Sequence, residues 1–483
     1  MKRTVRSTKP IGSAAALTLL ALVATPAGAR AQTSPLPAPP PTTPQLPGPP
    51  QFPVIFTPPP TSITPALAAI PFDVSGPSNQ ANFDLFAWLE FVALNWPADA
   101  TTCAARSDVT LLQDTQSPRV WETWKSDGAV FVENPLGQRP TAWCAQNPFH
   151  LSLPRALTTI SQAFGGPLVD QNGRFVRYEQ RLNRDEFDFI MARDLWSAAG
   201  QTSWLAHDPI DMPAGDSRPF FNRVGAMEVK AAWKVLTDAE KRGGRFYTTR
   251  AYVATGADLN RLNAVVDVGL VGFHITHKSR TSPQWTWATF EQVDNLTSSF
   301  HRPGCAVRGA CSTSLLCPGG CCPQNCSPVT CTGGSCPELS AAGAPVNLPT
   351  QVQRIQDVTL MSPPDRDAAR LNGVFQRLLA GSVWANYALI SNQWPSDPTS
   401  VRGAPVPPFL ANVALETYNQ GPTAAGTDGP IPYSDIHYTG GYPFHDTVSS
   451  SCLKCHFTAQ TAGTGRFGLK QPADFSFLLG HAR

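Results

Sequence analysis

The chain has 483 residues, 42% of them hydrophobic, with 25 Phe and 12 Trp, which is ample apolar mass for a large core in one or two domains. Its 37 Lys and Arg nearly cancel its 35 Asp and Glu, leaving a formal charge of +2. With no clustered basic stretch besides, nothing argues for nucleic acid or an anionic membrane surface as partner, and neither is expected.

The first segment reads as an export signal. Lys2, Arg3, Arg6 and Lys9 precede a short apolar run from Ala14 to Ala24, and Ala29-Arg30-Ala31 fits a small-x-small cleavage site. Residues 1–31 are thus expected to be a signal peptide, with the mature protein starting near Gln32 and working in the periplasm or outside the cell. The apolar run is too short to span a bilayer well, and no later run reaches about 18 apolar residues, so no transmembrane segment is expected in the mature chain. An uncleaved N-terminal anchor is the alternative. Residues 32–70, with SPLPAPPPTTPQLPGPPQFPVIFTPPPTSITP, read as an extended polyproline-like spacer, either a tether or a disordered leader. Folded protein is expected from about Pro71.

In PSNQANFDLFAWLEFVALNWP, Phe83, Phe86, Ala87, Glu90, Phe91 and Leu94 follow helical spacing, with Asn82 as cap and Pro97 as stop. A second helix is signalled by Asn183 with Glu186 three residues on, the pattern of a capping box, followed by Phe187, Ile190, Met191, Leu195 and Trp196. The centre of the chain then changes period. GAMEVKAAWKVL, RFYTTRAYV, VVDVGLVGFHIT and QWTWATFEQV are rich in valine, aromatics and threonine and are separated by short polar or Gly-containing segments, which predicts an antiparallel sheet. Alternation puts Met227, Val229, Ala231, Trp233 and Val235 on one face and Glu228, Lys230 and Lys234 on the other. Glu228 and Lys230, with His274 or His277 of GFHITH, either line a cavity over the sheet or form a solvated face with one satisfied histidine. The fold class expected is α+β, a central antiparallel sheet with packed helices.

Two inserts interrupt the C-terminal half. Residues 305–336 carry Cys305, Cys311, Cys317, Cys321, Cys322, Cys326, Cys331 and Cys336 among Gly, Pro and Ser. In an oxidising compartment that composition predicts four disulfides, with soft-metal binding at Cys321-Cys322 as the sharper alternative. Cys103 and Cys144 then remain for a further bridge. Residues 421–448 form a Gly/Pro loop carrying His437 and His445. Directly after it, in segment 449–483, SSSCLKCHFTAQ contains Cys452, Cys455 and His456 as C-x-x-C-H, the attachment signature of c-type haem. Two thiols three residues apart share one side of a helical turn, where each can add to a vinyl group of one porphyrin. His456 then offers an imidazole nitrogen to the iron. A redox cysteine pair and half of a zinc site are the competing readings, and the second lacks its other half because the chain has no second C-x-x-C.

The stretches LEFVALNWP, VWETWK, MEVKAAWKVL, VGFHITHKSRTSPQWTWATFEQVDN, SVWANYALISNQWP, FLANVALETYNQ, SSCLKCH and ADFSFLL, spread from Leu89 to Leu479, resemble exported bacterial cytochrome c family proteins. Those proteins carry one haem motif at the C-terminal end of a large, otherwise unassigned domain. The resemblance implies one haem c per chain, a central sheet and haem segment belonging to one unit, and redox partner proteins in the cell envelope. It brings no reaction with it, and it favours His274 over His277 as a site residue.

A second iron ligand is not offered by the tail. The 27 residues after His456 contain no methionine, and the chain's five are Met1, Met191, Met212, Met227 and Met361. The large domain must therefore roof the haem with a histidine (His274, His277, His437 or His445), with Met361, or with an open site. One-electron transfer is the expected function. A haem-dependent oxidoreductase using His274, Glu228 or Lys230 as acid-base groups, or a haem-stabilised binding protein, are the alternatives. A two-haem peroxidase plan is excluded by the single motif, and no G-x-S-x-G, H-E-x-x-H, Walker or Rossmann fingerprint offers another active site.

Overall fold

Strands rich in branched and aromatic residues need two covered faces, and here helices supply one cover and irregular C-terminal segments the other. The computed structural model describes residues 58–132, 138–144, 154–162, 166–218, 223–255, 261–302, 338–340, 342–354, 366–408, 410–418 and 451–483. The expected signal peptide, the cysteines from Cys305 to Cys336, Met361, His437 and His445 lie outside the described residues.

In chain order the elements are α1 (Gln80–Leu94), β1 (Lys125–Ser126), β2 (Arg155–Ala156), β3 (Arg177–Leu182), α2 (Arg184–Ala192), α3 (Ala198–Leu205), β4 (Met227–Val235), α4 (Asp238–Gly243) and β5 (Thr248–Val253). There follow β6 (Ala264–His277), β7 (Thr286–Gln292), α5 (Arg366–Leu378), β8 (Tyr387–Pro395), β9 (Pro405–Val406), α6 (Cys452–His456), β10 (Gln460–Thr464) and β11 (Lys470–Pro472). The main sheet has nine strands in the order β1-β3-β4-β6-β7-β8-β9, with β5 added beside the first half of β6 and β2 beside β5. Among the described strands of this sheet, β2 with β5 is the one parallel pair. The fold is α+β, and the four sequence-predicted strands are its centre. The flanking β8 escaped the pattern because Ser391, Asn392 and Gln393 are polar and fully buried, Ser391 accepting from Gln80 while Asn392 and Gln393 donate to the Phe83 and Pro407 carbonyls.

One face of the sheet carries Met227, Val229, Ala231, Trp233, Phe273, Ile275, Ala288 and Phe290, and it packs on α1 and α5. Phe91 of α1 stacks on Phe290 at 4.2 Å and Trp88 on Phe375 of α5 at 4.7 Å, and burial of each such ring contributes roughly 1.5–3 kcal/mol. The cap of α1 is Asn79, whose side chain accepts from the Asn82 N–H, so Asn82 is the residue being capped and not the cap. The helix is buried on all sides, and Leu67, ahead of Pro71, already lies in this core.

Cys103 and Cys144 form a disulfide with Cα atoms 5.9 Å apart across a separation of 41 residues. A loop of that length predicts about 2–4 kcal/mol of stabilisation through the unfolded state. Replacing both by alanine should lower the urea midpoint accordingly, and an unchanged midpoint would mean the bond does not form in the native protein.

The C-terminal segment docks on the opposite face. Leu453 of α6 is fully buried among Leu182, Phe187, Ile190, Trp285 and Trp287. Strand β10 lies along α3, where a Cβ at Gly463 would sit 2.6 Å from the Ala198 carbonyl oxygen, so only glycine permits the approach. No helix among the described residues is long and apolar enough to cross a membrane.

Candidate functional site

Strand register sets the floor of the site. Glu228, Thr276, Trp287 and Gln393 face one another in a row across β4, β6, β7 and β8, and Lys230, His274 and Thr289 form the next row on the same face. Two walls rise from this floor.

The first wall is the C-terminal segment. Gln393 Oε1 accepts from the Leu453 N–H at 2.9 Å and from the Ser451 hydroxyl, which fixes the start of α6 over β8. Ser451 also caps this short helix, accepting from the Lys454 N–H. Cys452 and Cys455 are consequently held on one turn, and both are free thiols. The next residue, His456, lies against the Trp287 ring at 5.4 Å and the Phe477 ring at 5.0 Å. Its Nδ1 donates to the Phe475 carbonyl at 2.8 Å, which fixes the tautomer and leaves Nε2 as the unprotonated nitrogen. That carbonyl is presented by a strained turn, since Asp474 and Phe475 have φ of 49° and 68° in the left-handed region. Two bonds to the Asp474 carboxylate hold the turn, from Lys278 Nζ at 2.6 Å and the Met212 N–H at 2.7 Å.

The second wall is segment 410–418. Asn412 reaches back to Thr289 Oγ1 at 2.8 Å and the Phe290 carbonyl at 2.9 Å, and its own N–H donates to Glu416. Glu416 is thereby brought to His274, with Oε2 at 3.3 Å from Nε2.

These groups share one electrostatic environment. His456 feels Lys230, His274 and Glu416, and Lys230 feels Glu416 and Cys455. Burial drops the His456 imidazole to about 4, so it is neutral, and pushes the Cys455 thiol up to about 12, with the Glu416 charge adding to the rise. Burial and the same charge lift Cys452 well above its usual range. Burial lowers the Lys230 ammonium. Burial also works against the Glu416 carboxylate, but His274 and Lys230 outweigh it and hold its carboxyl below the ordinary value. Lys230, His274, Glu416, Cys455 and His456 are surrounded by protein yet each still meets solvent, so they line a recess.

The structure therefore brings Glu228, Lys230 and His274 to the same face as Cys452, Cys455 and His456. His277 points the other way, fully buried, with Nδ1 2.5 Å from Glu90 Oε1 and Nε2 2.6 Å from the Val224 carbonyl oxygen. Both of its nitrogens are taken. Lys234 shares the face of Lys230 but ends at Asp170 and Glu240, away from the recess. Sequence reasoning missed Glu416, Phe475, Trp287 and Gln393. All four lie in the stretches that carry the resemblance, but nothing local marks an acceptor carbonyl or a buried glutamine.

Among the described residues no group of three or more His, Cys, Asp or Glu is arranged to hold a metal ion by itself. No family model matches this chain, and no curated protein or solved structure matches it either.

Proposed function

We propose that this chain is an exported cytochrome with a single haem c, bound by thioethers to Cys452 and Cys455 with His456 Nε2 as an axial iron ligand, and that it transfers one electron at a time between redox proteins of the cell envelope. The observation that carries the reading is the state of three side chains on one turn: two unpaired thiols, and an imidazole kept neutral with Nδ1 tied to the Phe475 carbonyl. A haem-ligating histidine needs that tautomer and that orientation.

The competing readings fit less well. A dithiol redox pair needs a depressed thiol, whereas burial raises both cysteines here. A protein-built zinc site needs further ligands, and none converge among the described residues. A porphyrin brings its own four nitrogens and asks the chain for little more than His456. Two indole N–H groups, Trp285 and Trp287, are buried without an acceptor on this side of the sheet, and carboxylates of a haem are acceptors of the kind they lack.

When bound, the haem supplies a one-electron iron couple. The chain's part is to hold His456 rigid through Phe475, to exclude water with Trp287, Phe475 and Phe477, and to set the charge around the iron through Lys230, Glu416 and His274. His274 is the candidate for the distal side, since it shares the recess with His456. A second reading, an open distal site with acid-base chemistry, is favoured by one observation, the His274–Glu416 pair beside Lys230.

Absorption and resonance Raman spectra in both oxidation states, with and without carbon monoxide, separate the two. Low-spin iron indifferent to the gas is the carrier result, and high-spin iron that binds it is the open-site result. His274→Ala should keep the covalent haem and convert a low-spin spectrum to high-spin if His274 ligates iron. If it is an acid-base group, the spin state should hold while any activity falls. An unchanged spectrum, gas affinity and potential would leave His274 as a wall residue paired to Glu416.

A further inference from the structure

The capping-box pattern at Asn183 conceals a different use of Glu186. Asn183 does cap α2, accepting from the Glu186 N–H at 3.1 Å, but its own N–H goes to the Met227 carbonyl and not to the Glu186 side chain. The Glu186 carboxyl instead turns inward. It is fully buried, and neither of its oxygens meets a donor, nor does Oε1 of Glu228 on β4. The two carboxyls lie against each other with no donor on these oxygens, so burial and mutual repulsion favour keeping a proton on the pair. Among the described residues no Lys or Arg stands among the largest influences on the pair. The charged groups facing it are Asp474 beside Glu186 and Asp127 and His481 beside Glu228, with Lys230 next along the same face of β4.

This pair sits between the candidate iron ligand and the surface. On the inner side Ser476 lies beside Glu228, and the preceding residue, Phe475, is the one whose carbonyl holds His456. Glu228 is two strands from Trp287, the ring packed on His456, a span of about 10 Å. On the outer side Asp127 and His481 stand 3.7 Å apart with side chains 28% and 41% exposed, a route by which a proton can reach Glu228 from solvent.

We propose that the Glu186–Glu228 carboxyl pair is a proton-binding site whose affinity for a proton rises when the haem receives an electron, so that reduction draws a fraction of a proton per electron from solvent. The coupling rests on the haem reading above. A reduced one-electron donor protein would supply the electron, which a bound haem would accept, and in the molecules that take up a proton from solvent the pair passes from one proton to two, so that the added negative charge is offset. Burial raises Glu186 well above the ordinary carboxyl value and Glu228 to about 7, which puts the second protonation within reach of neutral pH. Across about 10 Å of protein, one unit of charge alters a proton affinity roughly tenfold. That corresponds to a fall of about 59 mV in midpoint potential from the acid to the alkaline plateau.

The test is a potentiometric titration of the purified full-length protein between about pH 5 and about pH 9. The wild type should show the pH-dependent potential, and Glu228→Gln and Glu186→Gln, which mimic the protonated acid in shape, should flatten it. A carboxylic C=O band in the redox infrared difference spectrum should appear on reduction and vanish in Glu228→Gln. Either variant alone decides the matter if the other fails to fold. A haem-bearing protein whose potential ignores pH, or whose slope survives both substitutions because Asp474 or a porphyrin carboxylate carries it, overturns the coupling alone. A protein without haem overturns the cofactor reading and the coupling with it, while a pH-dependent loss of thermal stability would still report the pair. That loss has a definite sign, because raised carboxyls favour the fold below the ordinary Glu value and cease to do so as pH climbs through about 7.

Discussion

Replacing Cys452 and Cys455 together by alanine is expected to abolish covalent haem outright, leaving a chain with no haemochrome signal. The wild type should carry one haem that resists acid-acetone extraction and gives a pyridine haemochrome of the two-thioether type. Each single substitution should shift that spectrum to the one-thioether type, because the two sulfurs sit on one turn and react with different vinyl groups. The loss should reach the fold as well as the spectrum. The recess walls are α6 and its flanks on one side and segment 410–418 on the other, and a ligand bound only by the folded chain stabilises it by mass action. Haem that extracts freely from the wild type would sink covalent attachment. A haem-free wild type with two rapidly alkylated thiols would revive the dithiol reading against the raised thiols found here.

How much of this was legible beforehand depends on whether a feature is local. The C-x-x-C-H spacing is local, and so is the alternation that separates Glu228 and Lys230 from Met227 and Val229. The same period of two put His274 and His277, three residues apart, on opposite faces of β6, and register then decided which face the C-terminal segment covers. Features completed by distant chain were not legible. Glu416 matters only because Asn412 hooks onto Thr289, and Phe475 only because a left-handed turn aims its carbonyl at His456. Glu186 was misjudged for a sharper reason: a cap signature constrains the backbone N–H, and the side chain was free to be recruited by β4. The cap of α1 slid three residues for a similar reason, since Asn79 and Asn82 are equally good caps and the choice fell to the one whose side chain meets the first free N–H groups.

The largest stability effect is expected at Glu90, on the far side of the sheet from the C-terminal segment. His277 Nε2 lies 2.6 Å from the Val224 carbonyl oxygen and must donate to it, so that nitrogen carries a proton in every state. Nδ1 and Glu90 Oε1, 2.5 Å apart, then share one further proton, whether as imidazolium with carboxylate or as imidazole with carboxylic acid. Burial pushes the Glu90 carboxyl up, and its Oε2 has no partner at all. Removing one member of such a pair strands the other, so Glu90→Ala should cost about 3–5 kcal/mol, read as a lower urea midpoint at unchanged slope. Glu90→Gln should cost much less, on the order of 1 kcal/mol, because its amide can still donate to a neutral Nδ1. Equal losses in the two variants would mean that packing of the side chain, and not the shared proton, sets the energy. The contrast with the recess is functional. Glu90→Gln should leave spin state, gas binding and potential unchanged, since His277 lies behind the sheet from Cys452, Cys455 and His456. Any spectral change on substituting Glu90 would mean that the wrong histidine of GFHITH has been assigned to the distal side.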